Sequence, residues 1–114
     1  MEATIDYETR SQVDLKKAGA IVYAQHPSTS IICLSYKCDD GPTLLWIPER
    51  GPMPRDLWMV FKEGTLVAHI ASFERAITKH TLPRYDTLTT EQKECLYDLP
   101  ISRWRWMTEY RRTP

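Results

Sequence analysis

Two periods of apolar and polar positions run through the chain. Glu2 to Glu8 alternates strictly, which predicts a first strand. Ser30 to Lys37 carries the strongest strand pattern, and Cys38-Asp-Asp-Gly-Pro42 separates it from a returning run, Thr43 to Ile47, so the two predict a hairpin. Thr65 to Ile70 reads as a short buried strand, and Ala20 to Ala24 as a further strand or an irregular approach to His26-Pro27. Helical spacing appears over Arg55 to Phe61 through Leu57, Val60 and Phe61, with Gly64 ending it. Ser11 is expected to cap a short helix carrying Val13, Leu15 and Ala18, with Asp14 as a favourable first-turn charge. Ser72 is expected to cap a helix from Phe73 to His80 that presents Phe73, Ala76, Ile77 and His80 on one face. Pro48 to Pro54 and Pro83 to Thr90 read as loops, Thr90-Glu-Gln-Lys as the opening of another helix, and the last segment as helical from about Ser102. Strands followed by helices in this order predict an α/β architecture, a mixed sheet with helices packed on it. With 114 residues and no repeat or linker, one domain is expected.

Charge alters this picture little. Fifteen basic and fifteen acidic side chains cancel, so only a local patch would attract a nucleic acid. No apolar run approaches the roughly 20 residues that cross a bilayer, so no membrane partner is expected. The first six residues have neither the basic region nor the apolar core of a signal peptide, which predicts a cytoplasmic protein. The three cysteines are odd in number and expected to be reduced. A zinc site from Cys33, Cys38, His26 and His80 lacks any CxxC or HxxxH pair and is disfavoured.

The candidate chemistry is carboxylate chemistry. Asp6 and Glu8 stand two apart on the first strand, so their side chains share a face and can reach one hard divalent cation. Glu74 follows a strand and opens a helix, the place where open α/β sheets hold ligands. Taken alone, each feature is better explained as a solvated acid.

In combination they form a familiar series. Ile5-Asp-Tyr-Glu-Thr-Arg-Ser is followed by Asp14-Leu-Lys-Lys-Ala-Gly-Ala, His26-Pro-Ser-Thr, Ile32-Cys-Leu-Ser-Tyr and Leu45-Trp-Ile-Pro. Leu66-Val-Ala-His-Ile-Ala-Ser-Phe-Glu-Arg-Ala-Ile and Leu99-Pro-Ile-Ser-Arg-Trp-Arg-Trp-Met-Thr complete it. The series resembles the front part of the 3′–5′ exonuclease domain of phage-type family A DNA polymerases, in the DEDD (DnaQ-like) superfamily. The resemblance implies a ribonuclease H-like fold, truncated relative to the family. It also implies that Asp6, Glu8 and Glu74 are catalytic and hold Mg²⁺ or Mn²⁺ for hydrolysis at single-stranded DNA 3′ ends. Tyr7, Thr9, His69 and Phe73 are the substrate-contacting positions it implies.

Two departures qualify that expectation. Ile70 stands where the family has Asn, and it makes no hydrogen bond. The third motif, Tyr-x-x-x-Asp or His-x-x-x-x-Asp, has no counterpart, since Tyr97-Asp98 and Glu109-Tyr110 lack the spacing. Without its acid, hydrolysis needs completion by another protein or a second copy. The alternative is an inactive domain of phage or prophage origin that binds a host protein as inhibitor or regulator. The segment Arg103-Trp-Arg-Trp-Met-Thr-Glu-Tyr-Arg-Arg interleaves cations with aromatics, as base-stacking surfaces do, but packed aromatics with snorkelling arginines fit it better. Arg75 is a candidate phosphate contact or a residue of a solvated helix face.

Overall fold

The computed structural model describes residues 1–107. Strand β1 (Glu2–Arg10) leads through α1 (Leu15–Ala18) and α2 (Ala20–Gln25) to the hairpin β2 (Ser30–Cys38) and β3 (Thr43–Trp46). Then come α3 (Arg55–Glu63), β4 (Thr65–Ala68), α4 (Ala71–Ala76), α5 (Thr90–Asp98) and β5 (Trp104–Trp106). The five strands form one sheet in the order β3-β2-β1-β4-β5. The hairpin pairs antiparallel to β1, whereas β4 and β5 run parallel to it. This mixed sheet with packed helices is a ribonuclease H-like α/β fold.

Alternation along β1 decides which face is covered. Ala3, Ile5 and Tyr7 are buried, with their cross-strand neighbours Tyr36 and Leu34, in one cluster with Leu57, Val60 and Phe61 of α3 and with Ile77, Leu82 and Leu96. Thr4, Asp6 and Glu8 lie on the other face beside Lys37, Ser35 and Cys33, and none of these six belongs to the cluster. The helices thus pack against the face opposite the two candidate carboxylates of β1.

Several expectations give way to tertiary context. Asp14, rather than Ser11, caps α1 by accepting from the Lys16 N–H. Ala20–Gln25 is helical despite its β-branched Ile21-Val22 pair. Gly19 enters it with φ +86°, and the helix buries Tyr23 and Ala24 beside the turn Ile77–Thr81. The Phe73–His80 helix starts earlier than expected, at Ala71, and Ser72 is exposed within its first turn. Beyond Ala76 it widens into a π-helical turn over Ile77–Thr81 and ends in a 3₁₀ turn, Leu82–Arg84. The expected C-terminal helix is instead a 3₁₀ turn, Ile101–Arg103, and then β5, because the alternating Trp104-Arg105-Trp106 pairs with Leu66–Ala68. Residues 108–114, including Glu109-Tyr110 and the last two arginines, lie outside the described part.

Two arginines, Arg103 from the cation–aromatic segment and Arg84, are spent on helix ends. Arg103 spans the end of α3, donating to the carbonyls of Val60 at 2.8 Å, Phe61 at 2.9 Å and Lys62 at 3.2 Å, and also to Gly64 O. Arg84 does the same for α2 through Ala24, Gln25 and His26. Each guanidinium satisfies last-turn carbonyls and meets the negative end of the helix dipole. Gly64 is required at the α3–β4 turn, since a Cβ there would stand 2.7 Å from the Met1 carbonyl.

Arg103→Ala should therefore cost about 2 kcal/mol by orphaning several partly buried carbonyls. Arg103→Lys should recover only part, because an ammonium lacks the planar fork. Urea unfolding of the three proteins checks this, and an unchanged midpoint for the alanine variant would refute the capping role.

Candidate functional site

The site forms where two parallel strands end unevenly. β4 pairs only with Glu2, Ala3 and Thr4 of β1, whereas β1 continues to Arg10. Beyond Thr4, that edge of β1 therefore has no strand beside it. The chain leaving β4 passes through His69 and Ile70 into α4, and Glu74 in the first turn fills the gap. Its Oε2 accepts from the Tyr7 N–H at 3.3 Å.

Glu74 is only 5 % exposed. Burial raises its carboxyl to about 8. The Tyr7 N–H opposes that rise, and the charge of Asp6 adds to it. Asp6 and Glu74 line a single cavity of about 430 Å³ together with Leu15, Ala20, His69, Ile70, Ser72 and Phe73. The cavity is predominantly apolar in its walls, which accounts for the weak solvation of the glutamate.

The sequence-predicted residues divide accordingly. Asp6 and Glu74 are brought together, with His69 and Phe73 on the same walls. Phe73 also packs on Tyr23 with ring centroids 5.9 Å apart. Glu8 is exposed on the same strand face as Asp6, and its Cα is registered opposite Cys33. Burial, and then the carboxylates of Glu8 and Asp6, push the Cys33 thiol up, so both acids bear on that point of the open face. Among the described residues, no three His, Cys, Asp or Glu side chains converge into a ready-made cation cage, so the expected set Asp6, Glu8 and Glu74 does not close on one point. The disfavoured zinc set does not assemble either, and all three cysteines are free.

Tyr7 and Thr9 do not present their side chains to the cavity. The Tyr7 ring is buried, and its hydroxyl pairs with Thr78 Oγ1 at 2.7 Å. Burial pushes the phenol far above its usual range, with the Glu74 charge adding to the effect against the Thr78 hydrogen bond. Thr9 pairs with the Tyr23 hydroxyl at 2.8 Å. Tyr7 contributes a backbone donor, and period-two alternation alone would have turned its ring away from the Asp6 face. Thr78, the partner that fixes Tyr7, carries no sequence signal, because its inward position comes from the π turn.

Ile70 occupies the position before α4, 56 % exposed, and supplies no side-chain cap. Its apolar side chain lies on the cavity wall.

The DNA polymerase of Bacillus phage SP02 is 33 % identical over 81 residues, which are 68 % of this chain and 12 % of that protein. The chain is similar to a segment of a phage DNA polymerase. It spans a small fraction of that relative's length. No protein-family model matches the chain, and no solved structure matches it. No helix among the described residues is long and apolar enough to cross a membrane.

The buried acid sets a pH dependence. Folding raises the Glu74 carboxyl from 4.5 to about 8, so between those values the folded protein holds a proton that the unfolded chain has released. Stability contributed at this position is therefore intact below pH ~4.5 and declines as pH rises toward ~8. Glu74→Gln keeps an acceptor for the Tyr7 N–H and removes the charge. In chelator, the variant should be more stable than wild type by about 5 kcal/mol at pH 9 and equal to it at pH 4. Thermal unfolding across that range checks this, and a difference independent of pH would refute it.

Proposed function

We propose that the chain is an exonuclease-like domain derived from a phage DNA polymerase, acting on or binding single-stranded DNA 3′ ends with Mg²⁺ or Mn²⁺. The observation that carries the reading is the meeting of Asp6 and Glu74 in one cavity, where the buried glutamate is raised to about 8 with no cationic side chain to neutralise it among the described residues. Two oxygen-bearing acids at a strand end, one of them poorly solvated, fit a hard divalent cation, which would relieve their repulsion.

Asp6 and Glu74 would hold the ion, and Glu8 would join them through a change of rotamer on the shared strand face. Bound there, the ion would supply Lewis-acid stabilisation of a phosphodiester and lower the pKa of a water. The Tyr7 N–H orients the Glu74 carboxylate, the apolar walls leave it weakly solvated, and His69 and Phe73 border the space for a terminal nucleotide. The similarity to a phage polymerase segment supports a DNA substrate.

A specific observation also favours a second reading, an inactive domain that binds another protein. The cavity holds two acids rather than three, and exposed Ile70 stands on its wall. Without a further acid and a water-orienting group, hydrolysis should be weaker by roughly 10²–10⁴-fold.

Calorimetric titration with Mn²⁺, beside digestion of 3′-labelled single-stranded DNA, separates these readings. The proposal expects Mn²⁺ binding that falls at least tenfold in Asp6→Ala, with slow wild-type digestion abolished in that variant. Binding without digestion would select the second reading. Absence of both would overturn the metal-dependent reading.

A further inference from the structure

The outer side of α4 and the turn after it carry a feature the carboxylate site does not use. The Asp6–Glu74 cavity shares Ala20 and Ser72 with a second cavity of about 420 Å³. That cavity shares Ile21, Ser72 and Arg75 with a third of about 190 Å³, which ends at Lys79, His80 and Ile101. The three adjoin one another as a groove, walled by the α1–α2 segment on one side and by residues 99–101 on the other. Its acidic end is the candidate site, and its other end is basic.

The two cations are placed for use. Arg75 is half-buried and lines both outer cavities, and no acid or carbonyl among the described residues holds it. This contrasts with Arg84 and Arg103, whose guanidinium groups are engaged by helix-end carbonyls. The Lys79 ammonium rests 5.1 Å from the centroid of the exposed Tyr97 ring, which holds the long side chain at the groove's rim. The field there is positive. Burial first, and then the charges of Lys79 and Arg84, lower the pKa of His80. Arg75 and Lys79 stand four residues apart along the helical rise, about 6 Å, so they face the groove in succession.

We propose that this groove is a track for the phosphodiester backbone of single-stranded DNA, with Arg75 and Lys79 contacting successive phosphates behind an end seated at Asp6 and Glu74. The assignment rests on the reading of that acidic cavity as a DNA-end site. It adds a binding surface and a strand direction to that reading. Charge complementarity decides the occupant: a polyanion meets two cations in the groove, which hold its backbone whether or not a cation occupies the acidic pocket at its end. The apolar groups Ile21 and Ile101 give bases a surface without hydrogen-bond readout, so binding is expected to be tolerant of sequence.

The test is fluorescence anisotropy with a 5′-labelled oligo-dT in chelator, which removes hydrolysis and any metal from the readout. Arg75→Ala/Lys79→Ala should weaken binding at least tenfold at low salt. It should also reduce the slope of log affinity against log salt by about 1.4, the loss of two phosphate contacts. Lys37→Ala, at a position that lines none of the three cavities, should change neither, and Lys79→Glu alone should weaken binding if the double variant fails to fold. Wild-type binding that the double variant and Lys79→Glu leave unchanged would overturn the track, as would no wild-type binding or equal loss in the Lys37 control. An oligo-U arm bound more tightly than oligo-dT would overturn the assignment to DNA. Digestion in Mn²⁺ is scored separately, so a groove that fails while digestion persists overturns the track and leaves the nuclease reading standing.

Discussion

The Tyr7 N–H and the Glu74 carboxylate meet because β1 outruns β4, and much of the site's character follows from that inequality. A backbone donor on a buried strand edge needs an acceptor, and no strand continues beside β1 after Thr4. The first turn of α4 supplies one from a side chain, and in doing so it brings a second acid to the place where Asp6 already stands. The Tyr7 ring, directed the other way by strand alternation, is fixed by Thr78 in the π turn of the same helical segment. One residue is thus gripped from both directions by the segment that follows β4, and the carboxylate is held where it is poorly solvated.

The cost is electrostatic. A desolvated glutamate beside an aspartate is a destabilising arrangement for an apoprotein at neutral pH, relieved by a proton or by a cation. This destabilisation is confined to one strand end, while most of the core is apolar. Arg84 and Arg103 close helix ends, and Arg105 pairs with Glu2 at 2.9 Å on the surface. Arg75 stands apart from these.

Much of this was legible in the sequence where local pattern and tertiary role agree. Period-two alternation in β1 and β2, with the Asp-Gly turn between β2 and β3, defined the antiparallel half of the sheet. The spacing of Leu57, Val60 and Phe61 defined α3. Asp6 and Glu74 were legible as a pair only through their order within a longer resembling series, since neither carries a local signature. Other features depended on distant partners. Ile21-Val22 has strand propensity, yet no strand edge is available there, and burial of Tyr23 and Ala24 makes α2 helical. Trp104-Arg105-Trp106 alternates as a strand should, but three residues become a strand only because Leu66–Ala68 lies open beside them. The π turn, the Thr78–Tyr7 pair and the arginine caps are products of packing and leave no local trace.

If a cation relieves the buried Glu74 acid, the carboxyl must titrate differently with and without metal. Carbon-detected NMR titration of the Glu74 side-chain carboxyl, first in chelator and then with saturating Mg²⁺, tests it most directly. The expected result is a metal-free midpoint near 8 that falls by several units when Mg²⁺ is present. A midpoint in the ordinary glutamate range, indifferent to Mg²⁺, would contradict it.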